Sequence, residues 1–233
     1  MSASILLAGI VPALISWTAI LMIRGSGWSS RLADRPNERS LHTVPTPRVG
    51  GLGVIAGALP FAFVLGDDAI RVVAGCAGLL ALVSFADDIE SLPIQVRLPA
   101  HTAAAIVAVL VIAAPSGTRG GLDVVEVAAA ILALVWMTNL YNFMDGSDGL
   151  AGGMAVIGFG ALAIAACQAN ALPLAFTAMA IASASGGFLV HNFPPARVFL
   201  GDAGSVPLGF LAGAVGLHGA VIDAWPAWFP VLV

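Results

Sequence analysis

The sequence contains no lysine; all nine of its basic residues are arginine. Charged residues make up only 9% of the 233 positions, against roughly 25% in a soluble globular domain. An ordinary water-soluble fold is thereby excluded. Cysteine is almost absent. Cys76 and Cys167 stand alone in apolar runs, which rules against a disulfide framework and suits small buried hydrophobes. There is no Walker-type glycine loop and no Rossmann fingerprint in a strand–turn–helix setting, so ATP chemistry is not indicated. No internal repeat or low-complexity linker divides the chain, and nothing in it suits nucleic acid.

What is abundant is hydrocarbon: 59% of the residues are apolar. Apolar stretches of about spanning length lie near 4–23, 49–66, 70–86, 98–114, 124–141, 152–168, 172–190 and 206–222. The expected fold is a single all-α integral-membrane domain over residues 1–233, a polytopic transmembrane bundle of about eight spans. Gly and Ala within the spans suit close helix packing in lipid. No positive charge precedes the first stretch and Arg24 follows it, which predicts a retained helix with its N-terminus outside. By alternation, the connections near 24–48, 87–97, 142–151 and 191–205 share one side. They hold Arg24, Arg31, Arg35, Arg39, Arg48, Arg97 and Arg197, whereas the other side holds Arg71 and Arg119. The arginine-rich side is the expected cytoplasmic side.

Those four connections carry nearly all the purposeful polar residues. The first, "DRPNERSLHTVPTPRVGGLG", has too many prolines and glycines for a regular helix, and its arginines suit phosphates; ordinary turn chemistry is the alternative. The second contains Asp87 and Asp88 at the end of a span. Neighbouring helical residues point about 100° apart, so two separate roles are expected, with a solvated helix end as the alternative. The third, "NLYNFMDGSDGLAGG", spaces Asn139, Asn142, Asp145 and Asp148 by three. Each such step falls about 60° short of a full turn, so the first three share a broad face and Asp148 drifts off it. One carboxylate or amide here is explained by a helix cap; four are not. The fourth, "HNFPPARVFLGDAGSVPLGF", sets Asp202 between glycines, as a metal or phosphate ligand or as an N-cap. His101 and His218 fall inside apolar stretches and are expected to be packed; His42 and His191 lie in the connections.

Asp87, Asp88, Asp145, Asp148 and Asp202 thus converge on one membrane face. Such carboxylates repel unless neutralised, and Mg²⁺ takes oxygen ligands while leaving positions for substrate phosphates. Arg48, Arg97 and Arg197 suit an anionic substrate. The residues alone therefore point to a Mg²⁺-dependent membrane enzyme acting on a phosphate-bearing substrate. A cation-binding transporter is the alternative from another class, although transporter sites favour broken helices at the midplane.

All four connections resemble those of the polyprenyl-phosphate N-acetylhexosamine-1-phosphate transferase superfamily, in that family's order and over nearly the whole chain. "NLYNFMDGSDGLAGG" and "NFPPARVFLGDAGS" are most similar to its WbpL-like, O-antigen-initiating branch. The resemblance implies transfer of a sugar 1-phosphate from a UDP-N-acetylhexosamine to undecaprenyl phosphate, with release of UMP. It implies a multi-pass protein of the bacterial inner membrane with a cytoplasmic site, Mg²⁺ (or Mn²⁺) as cofactor, and is compatible with a homodimer. By similarity, Asp87, Asp88 and Asp202 are the key aspartates, Asp87 as base or nucleophile and Asp202 as metal ligand. Asn142, Asp145 and Asp148 match positions that shape the nucleotide and metal pocket, with Asp145 and Asp148 expected as metal ligands beside Asp202 and Asn139 expected to bind substrate. Asn192 and Phe199 match positions near the nucleoside. Arg97 stands where the family commonly has Lys. Family members usually continue into further spans and a His-containing loop beyond the point reached by "AWPAWFPVLV", so an inactive scaffold that keeps the four loops is also an outcome to consider.

Overall fold

The computed structural model describes residues 2–34, 36, 44–114 and 122–232. Arg35, Arg39, His42 and Arg119, assigned to connections above, lie outside the described residues. Among the described residues there are eight long helices: α1 (Ser2–Arg24), α3 (Gly50–Leu65), α4 (Asp68–Glu90), α5 (Ile94–Ala113), α6 (Val124–Met144), α7 (Leu150–Gln168), α8 (Leu172–Asn192) and α9 (Asp202–Val221). A four-residue turn of helix, α2 (Trp28–Arg31), follows α1, and another, α10 (Phe229–Leu232), follows α9. The only sheet among the described residues is a two-residue antiparallel pairing of β1 (Ala33–Asp34) with β2 (Thr46–Pro47). The chain is an all-α polytopic membrane bundle. Seven of the helices are long and apolar enough to cross a bilayer. The exception, α3, has 16 residues, which at 1.5 Å per residue falls short of a hydrocarbon core of about 30 Å.

The packing follows from which helices bury small residues. α9 is the hub, with 78% of its span buried; it packs against α4, α6, α3 and α5. α1, α3 and α7 gather around α8. Helix α3 joins the two groups because Gly51 lies directly against Gly204 of α9, where a Cβ on either would meet the other's Cα at 2.3 Å. Backbone contact of this kind replaces the hydrophobic drive that lipid cannot supply. α1, by contrast, is only 22% buried over its span and keeps Leu7, Ile10 and Leu14 exposed on the outside. Cys76 is buried as expected, but Cys167 is exposed, because α7 buries only the side that meets α8 and α9.

Successive helices run in opposite directions, so one end of the bundle gathers the C-termini of α1, α4, α6 and α8 with the N-termini of α3, α5, α7 and α9. Backbone hydrogen bonds stitch this end together. Gly50 N–H donates to Phe199 O at 2.9 Å, Gly51 N–H to Leu200 O at 2.7 Å, and Phe199 N–H to Pro47 O at 2.8 Å. At the opposite end Asp67 caps α4 through Ile70 N–H and lies 2.8 Å from His218 Nε2 of α9. His218 is therefore a packed, hydrogen-bonded helix residue, as its apolar setting predicts.

Candidate active site

The end turns of four helices enclose a cavity of about 90 Å³, lined by Ser84, Asp87, Ile94, Arg97, Leu98, His101, Asn139, Asn142, Asp202 and Val206. Each polar residue arrives on a helix that outruns its apolar stretch. α4 continues to Glu90, carrying Asp87 in its last turn; α5 starts at Ile94, carrying Arg97 in its first; α6 continues to Met144; and α9 starts at Asp202 itself. Asp87 is buried and has both oxygens engaged: Oδ1 accepts from Leu92 N–H at 2.6 Å and Oδ2 from Arg97 Nη1 at 2.7 Å. Arg97 Nη1 also lies 3.8 Å from Asp202 Oδ2, and the Asp202 carboxyl sits beside that of Asp87. On the α6 wall, Asn142 Oδ1 accepts from Ser205 Oγ at 2.7 Å, and Asn139 Nδ2 donates to Val135 O.

The remaining expected residues stand behind this cavity and hold its wall. Asp88 points away from Asp87, as adjacent helical residues must, and accepts from Asp202 N–H at 3.2 Å and Ala203 N–H at 2.9 Å. It is therefore an N-cap supplied to α9 from another helix. Asp145, just past the end of α6, accepts from Leu200 N–H at 3.1 Å and Gly201 N–H at 2.7 Å. Two carboxylates thus take four consecutive amides, from Leu200 to Ala203. Gly201 sits at φ +74° in this clamp; a Cβ there would meet Arg48 O at 3.0 Å and Asp88 Oδ2 at 3.2 Å. Asn192 is fully buried, accepting from Gly149 N–H at 2.9 Å and donating to Val198 O at 3.0 Å. Asp148 has drifted off the face, as the spacing predicts, and accepts from Ala196 N–H on the exposed side. Phe199 is buried beneath the clamp, bridged to Arg48, whose guanidinium pairs with Asp34. Arg197 is exposed at the rim.

The structure therefore brings Asp87, Arg97, Asn139, Asn142 and Asp202 into one cavity. It assigns Asp88, Asp145, Asn192 and Phe199 to the support of the 198–203 segment, with Asp148 and Arg197 at the margin. Burial pushes the Asp145 carboxyl up to about 7 against the pull of the Gly201 and Leu200 amides, and the Asp202 and Asp88 charges push the same way. His191 is not in the cavity; it is buried, stacked on Trp17, with Nε2 3.3 Å from Trp17 O. Two residues, one behind the cavity wall and one in its lining, escaped the sequence reading. Ser205 orients Asn142 from the first turn of α9. His101, expected to be a packed or hydrogen-bonded helix residue, lines the cavity one helical turn beyond Arg97; the four-residue spacing was visible, but only once α5 begins at Ile94.

The donor set bears on metal binding. Among the described residues no three His, Cys, Asp or Glu side chains form a ready-made cage. Mg²⁺ does not require one, because it is usually held by one or two carboxylates together with substrate phosphates and water. Asp202, partly exposed to the cavity beside the Asp87 carboxyl and 3.8 Å from Arg97 Nη1, fits that mode. Asp145 and Asp148, whose carboxylates are turned onto backbone amides, lie outside the cavity lining. The cavity is also smaller than the roughly 300–1,000 Å³ of a whole-ligand pocket. It is sized for a small group at the end of a ligand.

The sequence matches the family described as Glycosyl transferase family 4 over residues 70–220, a stretch that runs from α4 to the end of α9. The chain belongs to that family. It is 34% identical to decaprenyl-phosphate N-acetylglucosaminephosphotransferase of Mycolicibacterium smegmatis, over 89% of this chain and 58% of that protein. It is 30% identical to a probable undecaprenyl-phosphate N-acetylglucosaminyl 1-phosphate transferase of Bacillus subtilis, over 80% of this chain and 55% of the relative. It is 33% identical to undecaprenyl-phosphate alpha-N-acetylglucosaminyl 1-phosphate transferase of Yersinia pestis, over 78% and 53%. The chain thus spans between 53% and 58% of the length of these three relatives.

Proposed function

We propose that this family 4 chain carries the catalytic core of a polyprenyl-phosphate N-acetylhexosamine-1-phosphate transferase, working at the cytoplasmic face of a bacterial plasma membrane. The observation that carries the reading is the cavity in which Asp87, Arg97, Asn139, Asn142 and Asp202 meet. It lies at the end turns of membrane helices, where a lipid phosphate and a soluble nucleotide sugar can both arrive. The names of the relatives support the same reaction class. The donor is a UDP-N-acetylhexosamine and the acceptor undecaprenyl phosphate, and the product serves envelope polysaccharide synthesis of the O-antigen kind.

In this reaction an oxygen of the lipid phosphate bonds to the sugar-proximal phosphorus of the donor. The bond from that phosphorus to the bridging oxygen breaks, and UMP leaves with the bridging oxygen and its electron pair. Asp87 is placed to take the proton of a monoprotonated lipid phosphate. Both its oxygens are already engaged by Leu92 N–H and Arg97, which favours a fixed acceptor over a free nucleophile and hence a single displacement. Arg97 neutralises charge on the transferring phosphoryl group, and positioning supplies much of the rate. Asp202 would hold Mg²⁺, which when bound supplies charge neutralisation of the diphosphate. Asn139 and Asn142 orient the donor from the opposite wall.

The test is release of UMP from a UDP-N-acetyl sugar by membranes carrying the protein, given undecaprenyl phosphate and Mg²⁺. Asp202→Asn is expected to abolish turnover while the protein remains folded. Undiminished turnover in that variant would sink the role given to Asp202, and no UMP from folded wild-type protein would sink the reaction.

A further inference from the structure

We propose that His101 and Arg97 together form the subsite for the phosphate of the lipid acceptor, with His101 as a binding residue that reaches it from one helical turn deeper in the bundle. The inference rests on the transferase reading above. Three observations carry it. His101 is 93% withdrawn from solvent, at 7% exposure, yet its ring lines the cavity and its Nδ1 is buried without a partner. Arg97 has Nη1 committed to Asp87, but its Nε is also buried without a partner. Buried polar nitrogens are nearly always hydrogen-bonded, so two orphans on adjacent turns of one helix mark a place where a ligand completes the set. Residues four apart on a helix share a face. A guanidinium N–H is a donor, and so is the His101 imidazole in its Nδ1–H tautomer, the form this subsite uses; the partner of both is then an acceptor, and beside Arg97 it is an anionic one.

The cavity contains two sources of phosphate oxygen in the proposed reaction, the lipid and the donor, and the position of the orphans favours the lipid. They lie on α5, whose cavity lip is apolar: Ile94 and Leu98 both line the cavity and are 54% and 45% exposed. α5 is itself only 33% buried over its span. A prenyl chain lying along α5 can therefore bring its phosphate in beneath Arg97, while the asparagines that face a nucleotide sugar stand on α6. His101, deeper by about 6 Å along the axis, is out of line with a donor entering from the polar end.

The test separates the two substrates. Turnover is measured with undecaprenyl phosphate and with UDP-GlcNAc varied in turn, and binding of undecaprenyl phosphate is measured in detergent without donor. His101→Leu is expected to raise KM and Kd for undecaprenyl phosphate about tenfold or more, as loss of a hydrogen bond to a charged group does. KM for UDP-GlcNAc stays within about twofold, and His101→Gln recovers most of the acceptor affinity. If Leu is not tolerated in the fold, His101→Asn, polar but too short to reach, is expected to give the same split. Unchanged acceptor affinity, or a loss confined to UDP-GlcNAc, overturns the subsite. Absence of UMP from wild-type protein that still binds undecaprenyl phosphate in a His101-dependent way overturns the reaction and upholds the subsite. Wild-type protein that does not bind undecaprenyl phosphate overturns the subsite.

Discussion

Asp88 gives the sharpest test of the difference between a carboxylate that reacts and one that builds. Its two oxygens accept from Asp202 N–H at 3.2 Å and Ala203 N–H at 2.9 Å, so truncation to Ala leaves two amides at the start of α9 without partners. Each orphaned buried donor costs about 1–3 kcal/mol. Taking the longer bond at the low end and the shorter in the middle gives about 3 kcal/mol, and loss of a negative charge at a helix N-terminus adds about 0.3–1 kcal/mol. For a chain of this size that is a fall of roughly 7–16 °C in unfolding midpoint. Asp88→Asn keeps an acceptor for one amide but turns its NH₂ on the other, so about half the loss is expected. Thermal unfolding in detergent and UMP release are then measured on the same preparations. Activity is expected to fall in step with stability, and to be partly regained on cooling, because Asp202 moves with the amide it shares with Asp88. If Asp88→Asn keeps the wild-type midpoint and still has no turnover at any temperature, Asp88 acts on the reacting atoms and the capping argument is wrong.

Two further substitutions probe the same clamp. The Asp145 carboxyl, raised to about 7 chiefly by burial, holds its proton in the folded state at pH values where the unfolded chain, near its ordinary 3.8, has released it. Its contribution to stability is therefore full below about 3.8 and is lost as pH rises toward about 7, on the order of a few kcal/mol. Unfolding midpoints measured in chelator should fall across that window, and Asp145→Asn should flatten the slope; an equally steep slope in the variant refutes the assignment. Gly201→Ala forces a Cβ into a left-handed backbone at φ +74°, 3.0 Å from Arg48 O, and is expected to cost about 2 kcal/mol of stability. A midpoint equal to wild type would show that the 198–203 segment is not held as described.

Much of this site was legible before the structure. Low charge and long apolar runs specify the bundle, and the clustering of aspartates in alternate connections places them at one end. The three-residue spacing separated Asp148 from Asn139 and Asn142 but grouped Asp145 with them; α6 ends at Met144, and Asp145 is turned instead onto the Leu200 and Gly201 amides. The helix boundaries around the site were less legible. Hydropathy ends α4 near 86 and begins α5 near 98 and α9 near 206, whereas the helices reach Glu90, Ile94 and Asp202. Apolar content reports where hydrocarbon stops, not where hydrogen-bonded turns stop. The extra turn of α9 exists because its first amides are capped by Asp88, 114 residues earlier in the chain, and the amides preceding it are held by Asp145, 56 residues before Gly201. No local window contains that information. The same shift hid His101, since it stands on the face of Arg97 only if both belong to one helix.

The division of labour among the aspartates follows from this geometry. A helix N-terminus carries about half a positive charge and unpaired amides, and α5 and α9 both begin at the cavity. Left uncapped, the start of α9 would itself compete for an anionic ligand. Asp88 and Asp145 satisfy those amides from behind, fixing the backbone of Asp202 while leaving its side chain in the cavity. Asp87, restrained by Arg97 and Leu92, and Asp202 then sit side by side next to Arg97. That pair repels unless a cation or a proton comes between them, so the cavity is electrostatically incomplete until charged ligands fill it. In the proposed transfer, the two carboxylates would receive a proton and a metal ion and the arginine a phosphate, all on a backbone whose amides two other carboxylates hold.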